Sequence, residues 1–561
     1  MTRISVSWGN SELGDVCRLS EATRLRTFVR DEDSEPLKLF HPDQKDHCLT
    51  GDWYGEHAGK WMVAAGLTYR SNPSEDWRER IALVVNFLAD QQEDSGYLGT
   101  YAVDSAARFT HRDAENVRTW DLWIHAWLLL GFLEVEEIAG CEQARVCAQR
   151  IGELLLATFG GGRSPVRQGN HEGLSSLVLL EPLALMSVRW GDKRYSELAE
   201  RIFDQAVESG LKFLEDVDAS KVGTGKSYQL LWCMKGLLEL GMATGRTDLL
   251  DIVERLWKNI RDFHLTPMGG PWGGIATHKE VFNPVDFFDP CGLVETCSSV
   301  TWMILSHRLF EVTGDPQYLV EVERTLYNSV LGAVDANGSD WCYFTFPNGR
   351  RNNTYHWACC KSSGAIGLAY AALCFVAEFD GVCFLTGFED FSFETPSWGR
   401  VEMVLGAGGA KILVDQSMAL NLFVSPMIEL DSLPEGAILD GRWLRFPEIS
   451  GSVEIHFREK LNIEQKVHSV DHHGQEIVRE EYVCARVGRY VYAAEKFEGY
   501  RTQETLRLPQ LAPESVFRVV DDGILELRQA GRDVIKMTPY WKCGGRHDGA
   551  WRTTWLQVAW Q

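Results

Sequence analysis

Cys359 and Cys360 stand side by side, and the triplet Glu295-Thr296-Cys297 lies upstream of them. Three thiols and a carboxylate are a donor set for zinc, which is usually held tetrahedrally by thiolate, imidazole or carboxylate. Binding strips each thiol of its proton near neutral pH, so a bound thiolate is also a standing nucleophile. The spacing matches no common zinc finger. By residue type alone the same cysteines also read as small buried hydrophobes that happen to be neighbours, in a chain that has 14 cysteines.

A second candidate for chemistry is Glu280. It ends a loop without periodicity, Gly269-Gly270-Pro271-Trp272-Gly273-Gly274 followed by His278-Lys279-Glu280. A carboxyl group among aromatic residues suits general acid/base work; the alternative is a solvated loop glutamate. Trp272 and His278 share this loop and join the candidates for substrate contact. The glycines lack the strand and helix of a phosphate cradle, so nucleotide binding is not expected. Tyr97 and Tyr101, in Gly96-Tyr97-Leu98-Gly99-Thr100-Tyr101, suit a sugar-binding rim or an ordinary helix-ending turn. His125 and His171 lie at or near apolar helices, where a histidine serves either a ligand or the core. His472-His473 reads as a solvated turn.

The elements that must position these residues change in kind along the chain. Helical periodicity recurs over 77–91, 120–138, 195–213, 249–263, 298–312 and 316–331. Several apolar helices run into a glycine, at Gly140, Gly191, Gly245 and Gly314, with a new helix close behind, as left-handed helix caps do. Such helical hairpins close into an α/α toroid or stack as an open solenoid. The long intervals and the Gly- and aromatic-rich connections favour the toroid, where connections line a central pocket. Beyond Asp390 short alternating runs such as Val401-Glu402-Met403-Val404 and Val453-Glu454-Ile455-His456-Phe457 predict a β-sandwich. Ile4-Ser5-Val6-Ser7-Trp8 alternates too. The expected division is an N-terminal segment, 1–30, pairing with the β domain, a helical domain, 31–390, and a β domain, 391–561.

With 79 acidic against 56 basic residues, the formal net charge of −23 disfavours nucleic acid and anionic membranes as partners. No run approaches the about 20 apolar residues of a membrane span, and the start lacks a signal-peptide pattern. The reading is a cytoplasmic protein whose cysteines are free thiols or ligands rather than a disulfide framework. The Gly- and Tyr-rich turn at 96–101 suits a small carbohydrate or glycoside as partner, and a homodimer is compatible with the sequence.

Taken together, the Gly-Tyr-Leu-Gly-Thr-Tyr turn, the histidine-bearing helices, Glu295-Thr296-Cys297, Leu326-Tyr327-Asn328 and Cys359-Cys360 resemble glycoside hydrolase family 127, the β-L-arabinofuranosidases, and the related family 146. The resemblance implies an (α/α)6 barrel followed by a β-sandwich, with zinc on Glu295, Cys297, Cys359 and Cys360. It implies that Cys359 attacks the anomeric carbon, that Glu280 is the acid/base with retention of configuration, and that His125 and His171 hold sugar hydroxyls. This sequence departs from the family in three places. Lys361-Ser362-Ser363 replaces the Pro-x-Asn that usually follows the cysteine pair, with its later Arg also absent. No histidine occurs near Gly225-Lys226-Ser227-Tyr228, and the Glu280 to Glu295 interval is one residue short. The competing readings are a lyase or epimerase on the same toroid, and a noncatalytic glycan binder with structural zinc.

Overall fold

The computed structural model describes residues 3–45, 53–111, 117–214, 218–274, 280–285, 287–354, 358–495, 505–520, 523–529 and 531–561. After α1 (Glu12–Ser20), helices follow in pairs: α2 (Glu56–Ser71) with α3 (Glu75–Gln91), α4 (Asp121–Ala139) with α5 (Glu142–Phe159), α6 (Leu180–Trp190) with α7 (Lys193–Glu208), α8 (Ser227–Thr244) with α9 (Thr247–Phe263), and α10 (Thr296–Thr313) with α11 (Gln317–Arg324). α12 (Cys359–Tyr370) packs on α1. The even-numbered helices contact one another in order, and α12 returns to α2, which closes the ring. This is an (α/α)6 barrel.

Sequence pattern separates the two layers. α9 buries Leu249, Ile252, Val253, Leu256, Trp257 and Ile260, a single stripe at helical spacing, and so lies outside. α4 buries every residue from Asp121 to Val135, as an inner helix touched on all sides must. Gly140, Gly191, Gly245 and Gly314 all cap their helices in the left-handed conformation, so the four joints read from the sequence are the turns between inner and outer layers. At Gly59 close approach is the reason for glycine: a Cβ there would stand 2.3 Å from the Trp127 carbonyl. That contact draws α2 against α4 and sets Glu56 beside Trp123. The one segment apolar and long enough to cross a membrane among the described residues, His171–Trp190, is 78% buried within the molecule.

The first long helix, α1, begins at Glu12 and flanks α12. β1 (Ser7–Trp8) does pair with a β-domain strand, Phe391–Thr395, antiparallel. After α12 the next strand is Val376–Phe379.

The strand-rich part forms one nine-stranded and one eight-stranded sheet. The first shares its apolar core with the barrel: Trp443, on the strand Trp443–Glu459, packs against Phe310 of α10. The second has a core of its own around Val483, Leu525, Met537 and Leu556. Leu326-Tyr327-Asn328 lies in a π-helical turn at this joint. Asn328 donates to the Arg489 carbonyl (2.9 Å) and accepts from the Val491 amide (2.7 Å), and Tyr327 donates to Glu389 (2.6 Å). His473-Gly474 turns an exposed hairpin, both residues having positive φ.

Candidate metal centre and active site

Five of the six inner helices bring their N-terminal residues to one end of the barrel. Glu56 opens α2, Trp120 and Trp123 flank the start of α4, Lys226 to Gln229 begin α8, Glu295 and Cys297 begin α10, and Cys359 is the first residue of α12. Helix N-termini carry partial positive charge, so this end favours thiolates and carboxylates. The residues surround a cavity of about 270 Å³, whose lining includes Trp53, Glu56, Trp123, His171, Gln229 and Cys359.

At its floor, a small three-stranded sheet sets the carboxylate. β2 (Trp272–Gly273) and β4 (Phe344–Thr345) flank β3 (Leu293–Glu295), with Glu295 opposite Phe344 and Tyr343 one residue away. Glu295, Cys297, Cys359 and Cys360 bring their ligand atoms within 4.8 Å of one another. Cys297 Sγ lies 3.4 Å from Cys359 Sγ and 3.2 Å from Cys360 Sγ. A tetrahedral ion at ~2.3 Å from each sulfur separates sulfurs by about 3.8 Å, close to this spacing. Glu295 Oε2 accepts from Lys226 Nζ (3.1 Å) and Ser298 Oγ (2.9 Å), while the buried Oε1 has no hydrogen-bond partner among the described residues. An orphaned carboxylate oxygen beside three thiols is a donor set that fits a soft-to-borderline divalent cation.

The electrostatics single out one sulfur. Hydrogen bonds from Cys297 and Cys360 hold the Cys359 thiol well below its usual range, aided by Lys60 and Lys226 and opposed by burial. Burial pushes Cys297 and Cys360 well up. Burial also raises Glu295 to about 8, against the pull of Lys226. Burial opposes the Lys226 ammonium, yet Glu295 and Glu280 hold its pKa above the ordinary lysine value. Cys359 is the cluster member partly exposed to the cavity; Cys360 and Cys297 are fully buried.

Glu280 meets this cluster through two contacts. Its Oε2 pairs with Lys226 Nζ at 2.6 Å, and its Oε1 accepts from the Tyr343 hydroxyl. Burial and the neighbouring Cys359, Glu295 and Glu280 keep Tyr343 protonated, so it donates. The same Tyr343 Oη lies 3.6 Å from Cys359 Sγ. Thiol, phenol and carboxyl therefore form a short chain along one wall.

The other candidates divide. His171 lines the cavity, held in a left-handed turn (φ 56°) with Nδ1 3.3 Å from Thr224 Oγ1, and faces Trp120. His125 is fully buried: Nε2 accepts from the Leu98 amide (3.2 Å) and Nδ1 meets the Asp121 carbonyl (2.8 Å). Tyr97 is fully buried, donating to Asp121 (3.0 Å) under Arg108, and Tyr101 is buried beside it. Trp272 donates to the Leu265 carbonyl (2.8 Å) and packs on Phe288. His125, Tyr97, Tyr101 and Trp272 thus lie outside the cavity lining, and His278 lies outside the described residues. Their types are those of sugar rims, but here a satisfied polar network in the core uses them.

Sequence reasoning missed Lys226, Tyr343 and Glu56. Glu56 is fully buried, pairs with Lys60 at 3.0 Å and accepts from Trp123 Nε1; burial, with Cys359 adding, raises it to about 7 against Lys60. The Lys60 four residues on was the available signal for it. Nothing local marked Lys226. The departure after the cysteine pair also gains a role: Ser362 Oγ meets His57 Nδ1 (2.7 Å), and Ser363 Oγ accepts from Cys297 (3.3 Å) and meets Tyr228 Oη (3.3 Å).

The sequence matches the family described as Beta-L-arabinofuranosidase, GH127 catalytic domain, over residues 15–372, more than half of the chain. Among curated proteins, none matches it. A solved GH127 β-arabinofuranosidase superposes with a TM-score of 0.78 at 17% identity, covering 99% of this chain and 97% of its own. A GH127 β-L-arabinofuranosidase from Geobacillus stearothermophilus T6 gives 0.74 at 15% identity, over 99% of this chain and 100% of its own. These two share the fold across barrel and sheets alike. With the catalytic-domain match spanning the barrel and the Glu-Cys cluster at its open end, the chain belongs to glycoside hydrolase family 127.

Proposed function

We propose that this chain is a retaining furanoside hydrolase that works by double displacement on Cys359, with zinc held by Glu295, Cys297, Cys359 and Cys360. The solved relatives are named for β-arabinofuranosides, and that is the substrate class proposed here. When bound, zinc supplies charge that keeps the cysteine sulfurs ionised near neutral pH. In the first step the Cys359 sulfur attacks the anomeric carbon, a C–S bond forms, and the C–O bond to the leaving group breaks as Glu280 gives that oxygen its proton. In the second, Glu280 takes a proton from water, whose oxygen displaces the sulfur. Tyr343 and Lys226 orient Glu280 throughout.

The observation that carries this reading is the meeting of Cys359, Tyr343 and Glu280 on one cavity wall. A four-ligand zinc site is ordinarily closed and structural. Here two of the four donors, Glu295 and the partly exposed Cys359, line a cavity, which favours a working site. Glu280→Gln tests the role of the carboxyl group. With an activated nitrophenyl leaving group, which needs no acid, the first step survives and the second stalls; added azide restores turnover and yields a glycosyl azide. Equal loss for activated and unactivated leaving groups, with no azide product, contradicts the assignment.

A further inference from the structure

Gln229 lines the cavity at 3% exposure, and its Oε1 has no hydrogen-bond partner among the described residues. It follows Lys226 by three residues at the start of α8, so the two share a helix face. Glu56, also in the lining, spends one oxygen on Lys60 and the other on Trp123, and each carboxylate oxygen has a second lone pair. The Lys226 ammonium is committed to Glu280 and Glu295. Gln229 Oε1 and the second lone pairs of Glu56 therefore offer acceptors to a ligand in this part of the cavity.

We propose that Gln229 is a specificity-determining residue whose Oε1 accepts a hydrogen bond from a free hydroxyl on the glycon, with Glu56 accepting from a second, so that both positions of the glycon carry unsubstituted hydroxyls. A methylated or acylated hydroxyl has no proton to give to either acceptor. The inference rests on the cavity being the sugar site proposed above. A buried acceptor built to meet a hydroxyl discriminates against the analogue without it, because the acceptor is then left unmade.

Titration calorimetry of the zinc-loaded protein with methyl β-L-arabinofuranoside and its 2-, 3- and 5-deoxy analogues tests this. Against the wild type, one deoxy analogue binds roughly tenfold to hundredfold more weakly than the parent. In Gln229→Leu the parent weakens by a similar factor and the preference at that position disappears, the signature of a direct pairing. Gln229→Met replaces the leucine variant if the latter does not fold. Unchanged ratios in these variants, or no binding of any of the four probes to the wild type, overturns the proposal. Turnover of nitrophenyl β-L-arabinofuranoside, recorded alongside, separates the two claims. Turnover with unchanged ratios sinks the role of Gln229 alone; the predicted ratios without turnover sink the hydrolase reading and leave Gln229 standing.

Discussion

The two ends of the barrel are built from the same helices and are both rich in buried ionisable groups, yet only one is arranged for chemistry. α8 carries Lys226 at one end and Glu239 at the other; α10 carries Cys297 and, three turns on, Arg308. At the far end Arg308 grips Glu239 with two hydrogen bonds (2.7 and 3.1 Å) and Glu311 with a third (3.0 Å), and Lys235 pairs with Glu181. The void there is about 60 Å³, against about 270 Å³ at the open end. At the far end charge meets charge in fork geometry, and little volume is left over. At the open end the Cys359 thiol faces the cavity, and Gln229 Oε1 and Glu295 Oε1 lack hydrogen-bond partners among the described residues. Perturbed ionisation and unpartnered polar atoms mark both ends, Glu181 Oε2 and Trp232 Nε1 lining the far void, so neither by itself identifies the site; a thiol and a carboxyl group facing ligand-sized open volume do.

Substitutions should separate the ends in kind as well as in size. Cys359→Ser should remove at least about 10⁴-fold of turnover while leaving the thermal unfolding of the metal-free protein nearly unchanged. Arg308→Met should do the reverse, destabilising the fold by about 3–5 kcal/mol, because it strands Glu239 and Glu311, with kcat of the folded fraction kept. Comparable losses of kcat from both would erase the distinction.

The far end should also set the acid limit of stability. Burial pushes the Glu239 carboxyl up, but Arg308 pulls it down to about 2. A depressed folded-state pKa contributes stability that is fully present above the unfolded value near 4.5 and is lost as pH falls toward 2. The loss should be on the order of 3 kcal/mol. Denaturant titrations across that range should show it in the wild type and much less of it in Glu239→Gln. The smallest effect expected is at the open end: Lys226→Met should lower kcat roughly tenfold to hundredfold with zinc content unchanged, as for a residue that positions Glu280. Metal loss without a change in the kcat of loaded protein would assign Lys226 to the metal ligand instead.

What could be read in the sequence follows from how locally each feature is encoded. The four glycine caps are single-residue statements about backbone conformation, and each fell where the pattern put it. The Glu295, Cys297, Cys359 and Cys360 set was visible because residue type and pairing narrow the chemistry. Lys226 was not, since a lysine before a helix reads as a solvated cation until barrel closure sets it between Glu280 and Glu295. Tyr97 and His125 show the converse: types suited to sugar contact were taken up by Asp121 and the Leu98 amide at the start of α4. The β region was legible as strands, but its split into one sheet that shares the barrel core and one with its own core depends on contacts far apart in the chain.

The most direct measurement is intact-mass spectrometry of zinc-loaded wild type and Cys359→Ser after brief exposure to a nitrophenyl β-L-arabinofuranoside, with peptide mapping. The account predicts a single added pentosyl group on wild type only, mapped to the peptide holding Cys359 and enriched in Glu280→Gln, where the second step is slow. Turnover by wild type with no adduct under any quench condition, or turnover that survives in Cys359→Ser, would contradict it.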